Sequence, residues 1–391
     1  MREQQRRPVR VCVVGSGTRF LSGISYYTQQ LSTAMAARYP LSVVLLRRLM
    51  PARWYPGRVR VGAHLAVLRY PSSASVYDGV DWYWGTTILR AARLLRHERP
   101  DVVVLQWWTG TVLHTFLALA WISKRLGARV VLEFHEVQDV GELGVPLAKR
   151  YVDSVFPLLL RLVDGAMVHS EYDRTAVEKR YGLGDRPLMV VPHGPYPAPP
   201  TRRPPEESTR SSEICTLLYF GVIRPFKGVE DLVRAFDRLP ETEAVRYRLK
   251  VVGEIWEGHT LPSELIAGSR YRDRIEQVSR YITDDEVTAL FAAADVVVLP
   301  YHRSSASGPL HLAMSAGLPV VVTRVGGLIE AARDYRGAIF VPPHDVDALG
   351  AALPKAATLR GQRFPDPHSW ERTVDRYAEM FSAIGAGGHP V

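Results

Sequence analysis

The chain has 391 residues, 47% of them hydrophobic, which excludes global disorder and predicts two or three domain-sized units. Its formal charge of +9, supplied mostly by arginine, suits acidic partners such as nucleotides, phosphates or anionic lipids. No zinc-finger spacing or aromatic RNA-binding signature supports nucleic acid, and two cysteines, Cys12 and Cys215, both in apolar runs, read as buried thiols rather than a disulfide framework.

Residues 10–14 form a β-branched run that ends in Gly15-Ser16-Gly17 and leads into a helical pattern over 24–37. Further buried strands are expected at 41–46, 102–106, 130–134, 165–168 and 188–192, with helices at 87–97, 112–126, 147–162 and 171–181. Such alternation predicts a mostly parallel sheet covered on both faces. Residues 194–212, GPYPAPPTRRPPEESTRSS, carry proline and charge without apolar period and read as a linker. A second series follows. Strands are expected at 215–220, 248–252, 296–299 and 319–323. Helices are expected at 228–238, 284–294 with Asp284 as N-cap, 309–316, 328–332 and 345–353 with Asp345 as N-cap. An amphipathic helix over 369–384 closes the pattern, with Trp370, Val374, Tyr377, Ala378 and Phe381 on one face.

The fold class is therefore α/β, with two doubly wound Rossmann-like domains whose carboxyl strand edges face each other across a cleft. The expected boundaries are a first domain at 1–193, a proline-rich linker at 194–213 and a second domain at 214–365, which the resemblance given below makes the acceptor side and the nucleotide-sugar side. The C-terminal helix at 366–391 is expected to pack back on the first domain. The basic amino terminus lacks a signal-peptide core, and the apolar stretch 111–122 is too short to span a bilayer, so a cytoplasmic protein is expected.

Several stretches carry chemistry. Gly15-Ser16-Gly17 and Ser22-Gly23 lie between the first strand and first helix, where free backbone N–H groups suit an anion; a plain tight turn is the competing reading. Arg224 and Lys227, in YFGVIRPFKG, leave a strand end together beside a helix start, a pairing that suits a diphosphate. His135, in EFHE, ends a buried strand, where it can donate a hydrogen bond or act as an acid or base. Ser307 or Gly308 fits the cap of the helix that Pro309 opens. The N–H groups around Ser307 to Leu310 are expected to point into the cleft, ready for phosphate or sugar oxygens; an ordinary capped helix is the competing reading.

These pieces resemble family 4 glycosyltransferases, in the order SGISYYTQQLSTAMA, EFHE, VVPHG, YFGVIRPFKGVEDLVRAF, VVGE, ITDDEVTALFAAADVVVLPY, GPLHLAMSAGLPVVVTRVGGLIE and SWERTVDRYAEMF. The resemblance spans nearly the whole chain. It implies the GT-B fold, a nucleoside-diphosphate-sugar donor and retention at the anomeric carbon. It places Ser22 and Gly23 in the glycine-rich loop near donor and acceptor, His135 on the donor sugar, Arg224 and Lys227 on the leaving diphosphate, and Gly253 and Glu254 near the base. Where the family has two glutamates, this chain has Ser304 and Leu312. Ser304 or Ser305 retains a hydroxyl for the sugar, whereas Leu312 offers the ribose nothing, a loss of about 1–3 kcal/mol if unreplaced. His193 stands where asparagine is more usual.

No metal cluster is visible in the spacing, so no metal is expected and the two cations stand in for one. Two alternatives use the same architecture: a non-catalytic subunit that binds a partner enzyme, motivated by the absent glutamates, and a nucleotide-sugar epimerase. Arg47, Arg48, Arg53, Arg58 and Arg60 with Trp54 and Tyr55, and Arg90, Arg93 and Arg96 along one helix, fit either an anionic membrane surface or a solvated basic face. Trp107 and Trp108 fit either the acceptor side or the core. The base, sugar and acceptor are not encoded legibly; a glycan, a lipid-linked acceptor and a small natural product all fit.

Overall fold

The computed structural model describes residues 7–17, 23–49, 68–137, 145–196, 214–256 and 258–386. They divide into two compact units, Met1–Gly194 with His368–Val391, and Pro195–Pro367. Ser22, Arg53, Trp54, Tyr55, Arg58, Arg60 and the linker from 197 to 213 lie outside the described residues.

The first unit is built on seven parallel strands: β1 (Val11–Ser16), β2 (Leu41–Leu46), β3 (Ser75–Val80), β4 (Val102–Trp107), β5 (Arg129–Phe134), β6 (Gly165–Val168) and β7 (Leu188–Val190). Their spatial order is β3-β2-β1-β4-β5-β6-β7, so the order reverses between β1 and β4. The helices are α1 (Gly23–Ala36), α2 (Thr86–Glu98), α3 (Leu113–Arg125), α4 (Pro146–Leu160) and α5 (Glu171–Tyr181). Strands such as β1, β2 and β4 are buried along their whole length because helices cover both faces, which is why they read as unbroken apolar runs. Trp107 and Trp108, 2% and 7% exposed, belong to one of these cores and not to the surface.

The second unit repeats the plan with six parallel strands: β8 (Cys215–Phe220), β9 (Tyr247–Val252), β10 (Ile275–Val278), β11 (Val296–Leu299), β12 (Val320–Thr323) and β13 (Ala338–Val341). Their order is β10-β9-β8-β11-β12-β13, with the reversal between β8 and β11. Its helices are α6 (Val229–Asp237), α7 (Glu241–Ala244), α8 (Leu261–Gly268), α9 (Asp284–Ala293), α10 (Gly308–Ser315), α11 (Gly327–Ala332) and α12 (Val346–Ala357). The cap of α9 is Thr283, not Asp284. Its hydroxyl and backbone form a capping box with Glu286, which places the helix start one residue earlier than a cap at Asp284 would. Asp345 caps α12 through the Ala348 N–H.

The last helix, α13 (Trp370–Ala383), is part of the first unit. Val374, Tyr377 and Phe381 share a core with Tyr27, Leu31 and Met35 of α1. Side chains of this size bury about 1.5–3 kcal/mol each. Trp370 sits so close to Gly194 that a Cβ there would lie 2.3 Å from the indole, which requires glycine at the end of the first unit. Among the described residues no helix is long and apolar enough to cross a membrane.

Candidate active site

In doubly wound sheets ligands gather at the carboxyl edge of the strands, near the point where strand order reverses. Each unit concentrates polar side chains there.

In the first unit, β5 and β6 pair with Glu133 opposite Met167, so two residues beyond, His135 and His169 leave adjacent strand ends together. Glu133 is fully buried and both of its oxygens are engaged. The Tyr27 hydroxyl donates to Oε1 at 2.6 Å and the Gln106 amide donates to Oε2 at 3.1 Å, while Thr28 meets Gln106 Oε1 at 2.5 Å. His169 Nδ1 donates to the Val191 carbonyl at 3.1 Å, so its Nε2 carries a lone pair. His135 Nδ1 then donates to it at 3.2 Å. His135 Nε2, 3.7 Å from Glu133 Oε2, is buried without a hydrogen-bond partner among the described residues. Tyr27 packs at 4.6 Å between ring centroids on both His135 and His193.

The electrostatics follow. Burial works to raise the Glu133 pKa, but the neighbouring charges of His135 and His169 and the bond from the Tyr27 hydroxyl outweigh it and pull the carboxyl down to about 2. Burial, reinforced by the neighbouring His135, lowers His169 to about 4. Burial, followed by the charge of His169, holds His193 well below the usual histidine range.

The sequence reading singled out His135 but not its surroundings. His135 turns both ring nitrogens inward, to His169 and Glu133, instead of presenting one at the sheet edge. A Cβ on Gly15 would lie 2.2 Å from Gln106 Oε1, and one on Gly17 2.6 Å from the Leu46 carbonyl, so both glycines permit close packing inside the unit. Gly23 opens α1.

In the second unit, Arg224 follows β8 and enters a single 3-10 turn, Pro225–Lys227, that ends at Gly228 in the left-handed region, φ 61°. A Cβ on Gly228 would sit 2.0 Å from the Pro300 carbonyl, so only glycine lets this turn lie against the end of β11. The cations stand over aromatic faces. Lys227 Nζ is 3.7 Å from the Tyr301 ring centroid, and the Arg224 guanidinium is 4.9 Å from Phe226 and 5.6 Å from Trp256. Arg303, which the sequence reading missed, also lies over Phe226, at 5.2 Å. Glu254 accepts from the Trp256 indole at 2.8 Å. Gly253, φ 154°, packs on Gly221, whose carbonyl would lie 1.8 Å from an added Cβ.

The stretch around Ser304 resolves differently from expectation. Ser307 is the cap of α10, and its hydroxyl accepts the Leu310 N–H at 3.3 Å. Pro309 has no N–H, and His311 N–H bonds the Ser307 carbonyl. The helix's own bonding therefore takes the Leu310 N–H, and with no donor on Pro309 it leaves the N–H groups of Ser307 and Gly308 rather than a continuous row to Leu310. Leu310 is wholly buried, and Leu312 packs, half-buried, against the same core. The Ser304 hydroxyl donates to the Ala306 carbonyl at 2.7 Å, and its own carbonyl accepts from Gly327 N–H at 3.2 Å. The second position thus serves packing and the first shapes the loop. Ser305 is half-buried beside it.

Folding also gathers metal-ligating side chains that sequence spacing does not reveal: Glu133, His135 and His169 in one unit, Asp231, His302 and His344 in the other, each set with its ligand atoms within 4.8 Å. On the first unit's surface, Arg90, Arg93 and Arg96 are exposed along α2, whereas Arg47 and Arg48 pair with Asp81 at 3.2 and 3.5 Å.

Comparisons with known proteins agree with this architecture. A model described as glycosyl transferase 4-like domain matches residues 22–194, and one described as glycosyl transferases group 1 matches residues 215–358. The chain is 26% identical to glycogen synthase of Mycobacterium tuberculosis, over 94% of this chain and 92% of that protein. It is 28% identical to D-inositol 3-phosphate glycosyltransferase of Actinosynnema mirum, over 92% and 91%. Among solved structures, Anabaena HepE in complex with UDP-glucose shares the fold with a TM-score of 0.64 at 13% identity, over 97% of this chain and 100% of that one.

Proposed function

We propose, for a chain that belongs to the group 1 glycosyltransferases and has their GT-B fold, the transfer of a sugar from a nucleoside-diphosphate sugar to an acceptor hydroxyl, with retention and without a catalytic metal. The observation that carries this reading is the cation turn of the second unit. Arg224 and Lys227 are fixed by Gly228 at the carboxyl edge of the sheet and braced on Phe226, Trp256 and Tyr301. Charge accumulates on the diphosphate as the glycosidic bond breaks, and donors held in place beforehand stabilise it without reorganising. Arg303 adds a third cation beside the Phe226 ring. The Gly308 N–H at the start of α10 supplies a neutral donor with the helix dipole behind it.

Ser22, Gly23, Gly253, Glu254, Ser305 and Pro309 complete the donor-side set, with Ser304 and Ser307 shaping the loop. His135 orients the transferred sugar, which requires its imidazole to rotate away from Glu133. One structural neighbour, HepE, solved with UDP and glucose and with UDP-glucose, makes uridine donors the first to try. A second reading, a non-catalytic subunit that binds a partner enzyme, draws on the packing role of Leu312 and the absence of any carboxylate at either family position. The discriminating experiment is thermal melting of the chelator-treated protein against a panel of nucleoside-diphosphate sugars, since a ligand of the folded state raises its melting point. A rise with one donor that disappears in Lys227→Ala supports the transferase. No rise with any nucleotide overturns it in favour of the subunit. Proton NMR of the product, compared with the donor's anomeric configuration, tests retention.

A further inference from the structure

We propose that Glu133, His135 and His169 form a binding site for a zinc-class divalent cation. The three side chains leave the ends of two hydrogen-bonded strands, β5 and β6, and offer ligand atoms within 4.8 Å of one another. Two imidazoles and one carboxylate match zinc, cobalt or nickel and not the all-oxygen shells of magnesium or calcium. A fourth position is left for water, as in three-ligand zinc sites.

The surroundings are those that hold metal ligands in place. Histidine ligands characteristically donate their second ring nitrogen to a carbonyl or carboxylate, and ligating carboxylates are themselves hydrogen-bonded. His169 Nδ1 donates to the Val191 carbonyl, which leaves the lone pair on Nε2, 3.6 Å from Glu133, where a bound ion takes the place of the His135 Nδ1–H that this nitrogen otherwise accepts. Both Glu133 oxygens are oriented by Tyr27 and Gln106. An independent observation points to a ligand: His135 Nε2 is buried, faces Glu133 Oε2 at 3.7 Å and has no hydrogen-bond partner among the described residues. A cation between them satisfies that nitrogen and the carboxylate at once. The other triad, Asp231, His302 and His344, is the weaker host. Its carboxylate already meets Arg234 at 3.2 Å, and His344 is exposed.

The consequence for transfer rests on the function proposed above. An ion on His135 locks the imidazole inward, so zinc inhibits transfer and a chelator restores it. The binding test is independent of that reading. Chelator-treated protein is titrated with Co2+ without donor, and the visible absorption of tetrahedral cobalt is followed. The expected result is one Co2+ per chain, displaced by Zn2+, lost in His169→Ala and unchanged in His302→Ala. Tyr27→Phe, which removes only the hydroxyl that orients Glu133, weakens binding by roughly 10–100-fold. If His169→Ala does not fold, Tyr27→Phe decides. Absence of a tetrahedral band, survival of full affinity in Tyr27→Phe, or loss in His302→Ala overturns the site.

Discussion

Replacing Gly228 by alanine strikes the turn that aims Lys227. The residue sits at φ 61°, ψ 25°, where a side chain costs roughly 1–2 kcal/mol. The new Cβ would lie 2.0 Å from the Pro300 carbonyl and 2.9 Å from His302 Nε2. The first neighbour is backbone at the end of β11 and gives way only by moving the strand end, an overpacking cost of about 1–3 kcal/mol. Together the two terms remove about 2–5 kcal/mol from the second unit. In a domain of this size each kcal/mol is about 2–4 °C, so scanning calorimetry should show the second unit melting about 5–15 °C lower. Gly268→Ala is the control, because a Cβ there meets nothing within 4 Å. A Gly228→Ala shift as small as that of Gly268→Ala refutes the claim that this turn is sterically fixed.

Three further outcomes are expected. In the presence of a chelator the first unit loses stability in acid: His169, lowered from 6.5 to about 4, is neutral in the folded state, so the unfolded chain takes up a proton that the folded one refuses. That contribution is complete above about pH 6.5, drains away down to about pH 4 and is on the order of 3 kcal/mol. Glu133, held near 2, carries the loss further down. His169→Gln should flatten the melting profile between pH 7 and 4, and an unaltered profile contradicts the assignment. Leu312→Ala should cost the second unit about 1–2 kcal/mol of stability with donor KM unchanged, since the side chain packs on the core; a raised KM at full stability shows instead that it touches donor. Ser307→Ala should cost about 0.5–2 kcal/mol through loss of the α10 cap, read by denaturant titration, and no loss means the cap bond is not formed in solution.

The fold was legible wherever a strand is buried on both faces. β1, β4, β6 and β11 announce themselves as unbroken apolar runs. The strands that escaped the sequence reading, β3, β10 and β13, stand at sheet edges and are only partly buried, so SVYDGV, IEQV and AIFV carry neither a long apolar run nor a clean alternation. The cation turn was legible because Arg224, Lys227 and Gly228 are neighbours in sequence. The Glu133 network was not. It joins Tyr27, Gln106, Glu133 and His169, from four separate elements, and only the pairing of β5 with β6 brings the two histidines together. Its one readable trace is that EFH and MVH each set a histidine just past a buried strand. The expected row of N–H donors at Ser307 to Leu310 is shortened for a local reason: the serine that marks the helix start also takes up the Leu310 N–H.

In the proposed reaction Arg224 and Lys227 hold the diphosphate of the donor without a metal. Calorimetric titration of the chelator-treated protein with a nucleoside diphosphate and its matching monophosphate tests it most directly. The diphosphate should bind the native protein at least roughly tenfold more tightly, by about 1.4 kcal/mol, and Lys227→Ala should erase that preference while leaving the monophosphate unaffected. Equal affinities in the native protein, or a preference that survives in Lys227→Ala, would contradict it.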